Sequence, residues 1–177
     1  MLALRTALFL LFQTVTVVPW GLCCLLIAPL PLHLRYRFTI GWTKMVLWAA
    51  RVICGIEWEV RGRENFPDGP AIILSKHQST WETFVMPAIM PHPLAYVFKK
   101  ELLHVPFFGW AMGRLDMIHI DRKQRSRAFA KVVQQGRRLM EEGVWVIMFP
   151  EGTRIPRGER ASTKAAVRVW PLRPVCR

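Results

Sequence analysis

The sequence predicts an α/β fold: a mixed sheet flanked by helices, preceded by N-terminal membrane-associated helices. Three observations predict it. From residue 56 onward, short apolar runs of strand length recur, each bounded by turn residues. Between the last two runs lies a stretch of clear helical period, Gln124 to Glu142. Ahead of all of them, from Ala7 to Leu32, there is no charged residue.

That first segment, "ALFLLFQTVTVVPWGLCCLLIAPLPL", is long enough to cross a bilayer's hydrocarbon core. Pro19 and Gly21 fall in its middle and Pro29 and Pro31 near its end. It therefore reads either as a kinked span or as a helix lying partly in the interface. A lone Arg5 and the lack of a small-x-small cleavage site argue against a signal peptide. Arg35, Arg37, Lys44 and Arg51 follow closely, which argues that the following chain is cytoplasmic. Residues 38–56, "FTIGWTKMVLWAARVICGI", form a second apolar segment interrupted by Lys44 and Arg51, expected to be an interfacial or tightly packed helix.

The pattern then changes. "IEWEVRG" (Ile56 to Gly62) alternates like a half-buried strand, and "NFPDGP" (Asn65 to Pro70) is turn chemistry. "AIILS" (Ala71 to Ser75) reads as a short buried strand, followed by a helix from Thr80 to about Ile89, stopped by Pro87 and Pro91. "LAYVF" (Leu94 to Phe98) and "MIHID" (Met117 to Asp121) are further strands. In the Gln124–Glu142 helix, Phe129, Val132, Val133, Leu139 and Met140 share one face, and Gly143 ends it. "VWVIMF" (Val144 to Phe149) is the last buried strand. Strands alternating with helices indicate an α/β domain.

Bulk composition narrows the function. The 177 residues suffice for one domain with a real core. Apolar residues make up 52%, yet Lys+Arg outnumber Asp+Glu 25 to 12, for a net charge of +13. High apolarity with positive charge suits a protein seated on an anionic membrane surface or handling phosphorylated substrates. Nucleic acid, the other common partner of a basic chain, is disfavoured: there is no finger, RNP-type aromatic motif or basic arm. Cys23, Cys24, Cys54 and Cys176 have no CxxC spacing and no paired histidines, so they read as buried free thiols in a reducing compartment.

The chemistry-bearing residues begin in "ILSKHQSTWETF". If the chain turns between strand and helix, His77 and Glu82 can point to the same side. The imidazole can then take a proton from a hydroxyl while the carboxylate fixes its tautomer and stabilises the imidazolium. The competing reading is structural: Ser79-x-x-Glu82 is a capping box, in which Glu82 bonds only the helix start. The pair by itself leaves both readings open. In "FPEGTR" (Phe149 to Arg154), Gly152 allows tight backbone approach, Thr153 offers a hydroxyl and an amide, and Arg154 can grip a phosphate. A turn of this composition after a strand is common, and Arg122, after "MIHID", is by itself an ordinary surface charge.

Four blocks occur in order: "KHQSTWE", "KKELLHVPFFGW", "IHIDR" and "FPEGTR". Together, over roughly residues 56 to 160, they resemble the glycerolipid acyltransferases, and among these the 1-acylglycerol-3-phosphate (lysophosphatidic acid) acyltransferases. The resemblance implies that His77 is the base activating the acceptor hydroxyl and Glu82 its orienter. It implies that Arg122, Glu151, Gly152, Thr153 and Arg154 serve the acceptor's phosphate, with Glu151 organising that loop. The hydroxyl would attack the thioester of acyl-CoA or acyl-carrier protein to give phosphatidic acid, with no metal and no prosthetic group. Glu82 departs from the family's His-x4-Asp by one methylene, which the turn must absorb. Implied partners are membrane lipids, lysophosphatidic acid and the acyl thioester. Sibling activities on another lysophospholipid or on glycerol 3-phosphate share these blocks, and an inactive truncated membrane fragment is the alternative from a different class.

The expected organisation is residues 1–56 as membrane-anchoring helices, 57–160 as a truncated catalytic core, and 161–177 as an out-of-frame tail. "ASTKAAVRVWPLRPVCR" carries no acid and no convincing period, whereas the family continues with a "YK-x-GGA" stretch and a Val-Pro strand. With permitted codons, reading from the last base of the Ser162 codon gives Y-K-G-G-G-A-R-L-A-I-A-T-G-V-P. Trp170-Pro171 forces an alanine in that frame whatever codons are chosen. Resequencing the gene checks this: the shifted frame is expected to continue the family pattern, and a shifted frame that does not would end the idea.

Overall fold

The computed structural model describes residues 1–121 and 123–159, with the side chains of Arg125 and Ser126 left aside. The expected out-of-frame tail lies outside the described residues. Helix α1 runs Leu2–Leu26 and α2 Leu32–Ala49, continued by a π-helical turn over Ala50–Cys54. Then follow β1 (Ile72–Leu74), α3 (Trp81–Ile89), β2 (Leu94–Lys99), a 3-10 turn over Lys100–His104, α4 (Phe108–Met112), β3 (Ile118–Ile120), α5 (Arg125–Glu141) and β4 (Trp145–Met148).

The strand order is β1-β4-β2-β3. The expected sheet was mixed; every pairing among the described strands is parallel. Parallel strands need crossovers, and α3, the 3-10 turn with α4, and α5 supply them. Such a sheet is covered on both faces, which is why the strands read as unbroken apolar runs rather than alternating ones. Leu94, Tyr96, Phe98, Trp145 and Ile147 face α2 and α3 with Tyr36. Ala95, Val146, Met148 and Ile118 face α5 with Val132 and Leu139. The two-residue period of the strands assigns each side chain to one layer or the other.

Several boundaries differ from expectation. "IEWEVRG" forms no strand: Ile56 to Glu59 are exposed and have no ladder partner, because alternation alone cannot supply one. Pro87 sits inside the last turn of α3 rather than stopping it. The second helix starts six residues early, at Leu32, because the Pro31 carbonyl accepts from the Leu34 and Arg35 N–H groups at 3.0 and 3.2 Å. "KKELLHVPFFGW" was assigned no element, yet it holds the 3-10 turn and α4.

Helix α1 is continuous through Pro19 and docks on the domain instead of standing clear of it. The Trp42 indole N–H donates to Thr16 Oγ1 (3.1 Å), and the Trp20 indole N–H donates to the Phe38 carbonyl (3.2 Å). At Gly21, an added Cβ would lie 2.7 Å from Phe107 Cβ and 2.9 Å from its backbone, so only glycine lets α1 seat there. Phe107 itself has φ 61 and ψ −61, with the Phe108 N–H donating to the Pro106 carbonyl at 2.6 Å. This is the rare positive-φ γ-turn, a strained conformation that the packing of α1 and α4 holds in place.

Candidate active site

The site forms where the chain leaves the C-terminal ends of two neighbouring strands, the usual ligand position in open parallel sheets. β1 and β4 pair in register from Ile72↔Val146 to Leu74↔Met148. The Ser75 N–H extends the ladder to the Met148 carbonyl (3.1 Å). The two loops then stay together: the Ile155 N–H donates to the His77 carbonyl at 2.8 Å, and Lys76 Nζ donates to the Glu159 carbonyl at 3.2 Å.

His77 and Glu82 do meet. His77 Nδ1 lies 3.6 Å from Glu82 Oε2, with both side chains about one-sixth exposed (15% and 17%). Half of the expected capping box exists as well, since Glu82 bonds the Ser79 N–H while Ser79 Oγ takes the Trp81 rather than the Glu82 N–H. The Glu82 carboxylate accepts from the Gln78 and Ser79 N–H groups and the Ser79 hydroxyl, each at 3.1 Å, while Ser79 Oγ accepts from the Trp81 N–H at 3.0 Å. The two readings of the sequence are thus one arrangement. The extra methylene of Glu82 lets the carboxylate fold back over the helix start and still reach the imidazole.

Electrostatics define the protonation states. Burial alone would raise the Glu82 carboxyl, but hydrogen bonds from its own N–H, from Gln78 and from Ser79 outweigh this and hold it below its ordinary value. It is therefore a carboxylate, which can only accept. Burial lowers the His77 imidazole, and Arg154 lowers it further; Glu82, and more weakly Glu151, pull upward without prevailing. His77 is thus neutral at pH 7. With a carboxylate beside Nδ1, the proton belongs on Nδ1 and the free lone pair on Nε2.

A cavity of about 1180 Å³ opens at this point. Its rim includes His77, Thr80, Gly152, Thr153 and Arg154, and its wall runs along Tyr96 and Phe98 of the sheet to Trp20, Gly21 and Cys24 of α1. The wall is mostly apolar, with His77, Thr153 and Arg154 at one end and Thr39, Thr43 and Lys99 also lining it. Gly152 has φ 67, a left-handed turn closed by its N–H donating to the Phe149 carbonyl (3.0 Å), which glycine adopts without strain. Glu151 Oε2 is buried without a hydrogen-bond partner. Arg122 lies outside the described residues. A second pocket, of about 280 Å³, is lined by Lys100, His119, Asp121, Gln124, Arg127 and Lys131, with Lys100 paired to Asp121 at 2.6 Å. Sequence reasoning assigned no role to Phe149, whose ring stacks on His77; an aromatic between a strand and a glycine turn carries no signal of that contact. Among the described residues no cluster of His, Cys, Asp and Glu is arranged to hold a metal.

Known proteins resemble this chain in sequence and fold. The family model described as Acyltransferase matches residues 57–169. A 1-acyl-sn-glycerol-3-phosphate acyltransferase of Pseudomonas aeruginosa is 46% identical over 181 residues, covering 98% of this chain and 70% of that protein. The enzyme of the same name from Saccharomyces cerevisiae is 33% identical over 106 residues, covering 59% of this chain and 34% of its own. The crystal structure of the 1-acyl-sn-glycerophosphate (LPA) acyltransferase PlsC from Thermotoga maritima superposes with a TM-score of 0.71 at 26% identity, covering 93% of this chain and 66% of that one.

The charge balance at His77 has a direct check. Titration of ¹⁵N-labelled histidine by NMR is expected to place His77 below the ordinary histidine pKa. Glu82→Gln removes an upward pull and moves it lower still; Arg154→Gln removes a downward one and moves it up. Shifts of opposite sign would contradict the assignment.

Proposed function

The chain belongs to the acyltransferase family, and from that premise we propose that it transfers a fatty acyl group from acyl-CoA or acyl-carrier protein to the free hydroxyl of 1-acylglycerol 3-phosphate, giving phosphatidic acid for phospholipid synthesis. One observation carries this reading. A neutral histidine backed by a carboxylate stands at the polar mouth of an apolar cavity, beside an arginine and an exposed backbone turn.

The acceptor hydroxyl donates to His77 Nε2 and attacks the thioester carbonyl as Nε2 takes its proton. Glu82 stabilises the imidazolium that forms. Collapse of the tetrahedral intermediate breaks the C–S bond, and His77 returns the proton to the departing thiolate. The phosphate is held by Arg154, by the amide and hydroxyl of Thr153 and by the Gly152 turn, with Glu151 organising the loop and Arg122 adding charge. The reaction so written calls on no metal or prosthetic group, only the thioester co-substrate.

Lipid access supports the same reading. α1 is held against the domain from Arg5, whose carbonyl lies 3.9 Å from the Cys54 thiol, to Cys24, whose thiol contacts Thr39 at 3.5 Å. Its outer face exposes Leu4, Leu8, Leu11, Val15, Leu22 and Leu26 at helical spacing. α1 is long and apolar enough to cross a bilayer, yet its contacts with α2, the π-helical turn and Phe107 hold it alongside the rest of the structure. We read it as lying in one leaflet, cytoplasmic side, so that the cavity opens into the lipid and receives an anionic substrate laterally.

Acyl transfer by the full chain in detergent micelles tests this, with lysophosphatidic acid, other lysophospholipids and glycerol 3-phosphate as acceptors and both thioesters as donors. Lysophosphatidic acid is expected to be the best acceptor, and His77→Ala to lose about 10²–10⁴ in kcat. Equal turnover by His77→Ala would remove the base assignment. Preference for another acceptor would replace the substrate.

A further inference from the structure

Glu82 does not by itself fix the His77 ring. The Nδ1–Oε2 separation of 3.6 Å exceeds a good hydrogen bond, and Nδ1 is buried with no nearer partner. A single long contact leaves an imidazole free to turn about its broad outer torsion. Turning is blocked instead from the other side. The Phe149 ring stacks on the imidazole with centroids 4.1 Å apart and planes 18° from parallel. Phe149 is anchored in turn: it follows β4 directly, packs into the core layer around Phe98 and Trp145, and lies 6.4 Å from the Tyr96 ring. The Ile155 N–H holds the His77 backbone at 2.8 Å from the same loop. The segment carrying the proposed phosphate-binding residues therefore grips the proposed base by both ring and backbone.

We propose that Phe149 is a positioning residue: its stacked ring holds the imidazole plane, in which the Glu82 carboxylate selects the edge, Nδ1 toward Glu82 and Nε2 toward the cavity. This rests on the reading of His77 as the base. The charged groups around His77 are Glu82 from α3 and Glu151 and Arg154 from the β4 loop, and all three persist in any Phe149 variant. A change at Phe149 thus alters the ring's orientation with its charged neighbours in place.

Phe149→Leu keeps an apolar side chain but removes the stack, whereas Phe149→Tyr keeps the stack. In the full chain, Phe149→Leu is expected to lower kcat by about 10²-fold, the effect of misplacing a reacting group by an ångström, with KM for lysophosphatidic acid nearly unchanged. Phe149→Tyr restores kcat. ¹⁵N shifts report the tautomer independently of activity: Nδ1–H in the wild type and Phe149→Tyr, and a mixture with Nε2–H in Phe149→Leu. Thermal melts of all three identify any loss of folding, and the Tyr variant still decides the matter if the Leu variant unfolds. A Phe149→Leu protein with wild-type kcat and the wild-type tautomer, or a folded Phe149→Tyr protein as impaired as Phe149→Leu, overturns the inference. His77→Ala run in parallel separates the two ideas. Full activity there overturns the base reading itself, while loss there beside a wild-type-like Phe149→Leu overturns only the role of Phe149.

Discussion

The site depends on the parallel pairing of β1 with β4. These strands are 71 residues apart in sequence at Leu74 and Trp145, yet they are sheet neighbours and end at the same edge. Parallel pairing makes their following loops emerge side by side, and the Ile155-to-His77 hydrogen bond continues the contact beyond the ladder. Without that pairing, His77 and the Gly152–Arg154 turn would be unrelated surface features. With it, the proposed base and the proposed phosphate-binding turn share one rim.

Glu82 shows how local and catalytic requirements can coincide. A carboxylate at a helix start is favoured by the unpaired N–H groups there, and here three donors hold it ionised. An ionised, fixed carboxylate is also what a proton-accepting histidine needs at its far nitrogen. The hydrogen bonds at the helix start thus preorganise the proposed base and its carboxylate, and α3 keeps Glu82 near His77 through its packing on α2, where Phe84 meets Trp42 edge-on at 5.7 Å. The apolar cavity behind them links this pair to α1, the helix with the most exposed aliphatic surface.

Much of this was legible in the sequence because the signals are local. The strands β1, β2, β3 and β4 and the helix α5 stood out as apolar runs or a single helical face, and the site blocks stood out as clusters of chemistry-bearing residues. What stayed hidden is non-local. The false strand at Ile56–Gly62 has the right alternation but no partner, and alternation says nothing about partners. The seat of α1 on Phe107 joins residues far apart in the chain, and only the folded contact explains Gly21. The stack of Phe149 on His77 depends on strand order, which no motif encodes. Arg122 and the tail lie outside the described residues.

The central claim is that one cavity holds the acceptor with its hydroxyl on His77 and its phosphate on the β4 loop. A crystal structure of the chain with lysophosphatidic acid bound tests it most directly. The account predicts the free hydroxyl within hydrogen-bond distance of His77 Nε2, the phosphate on Gly152, Thr153 and Arg154, and the acyl chain along the wall toward Trp20. A phosphate bound away from that turn, with the hydroxyl out of reach of His77, would contradict it.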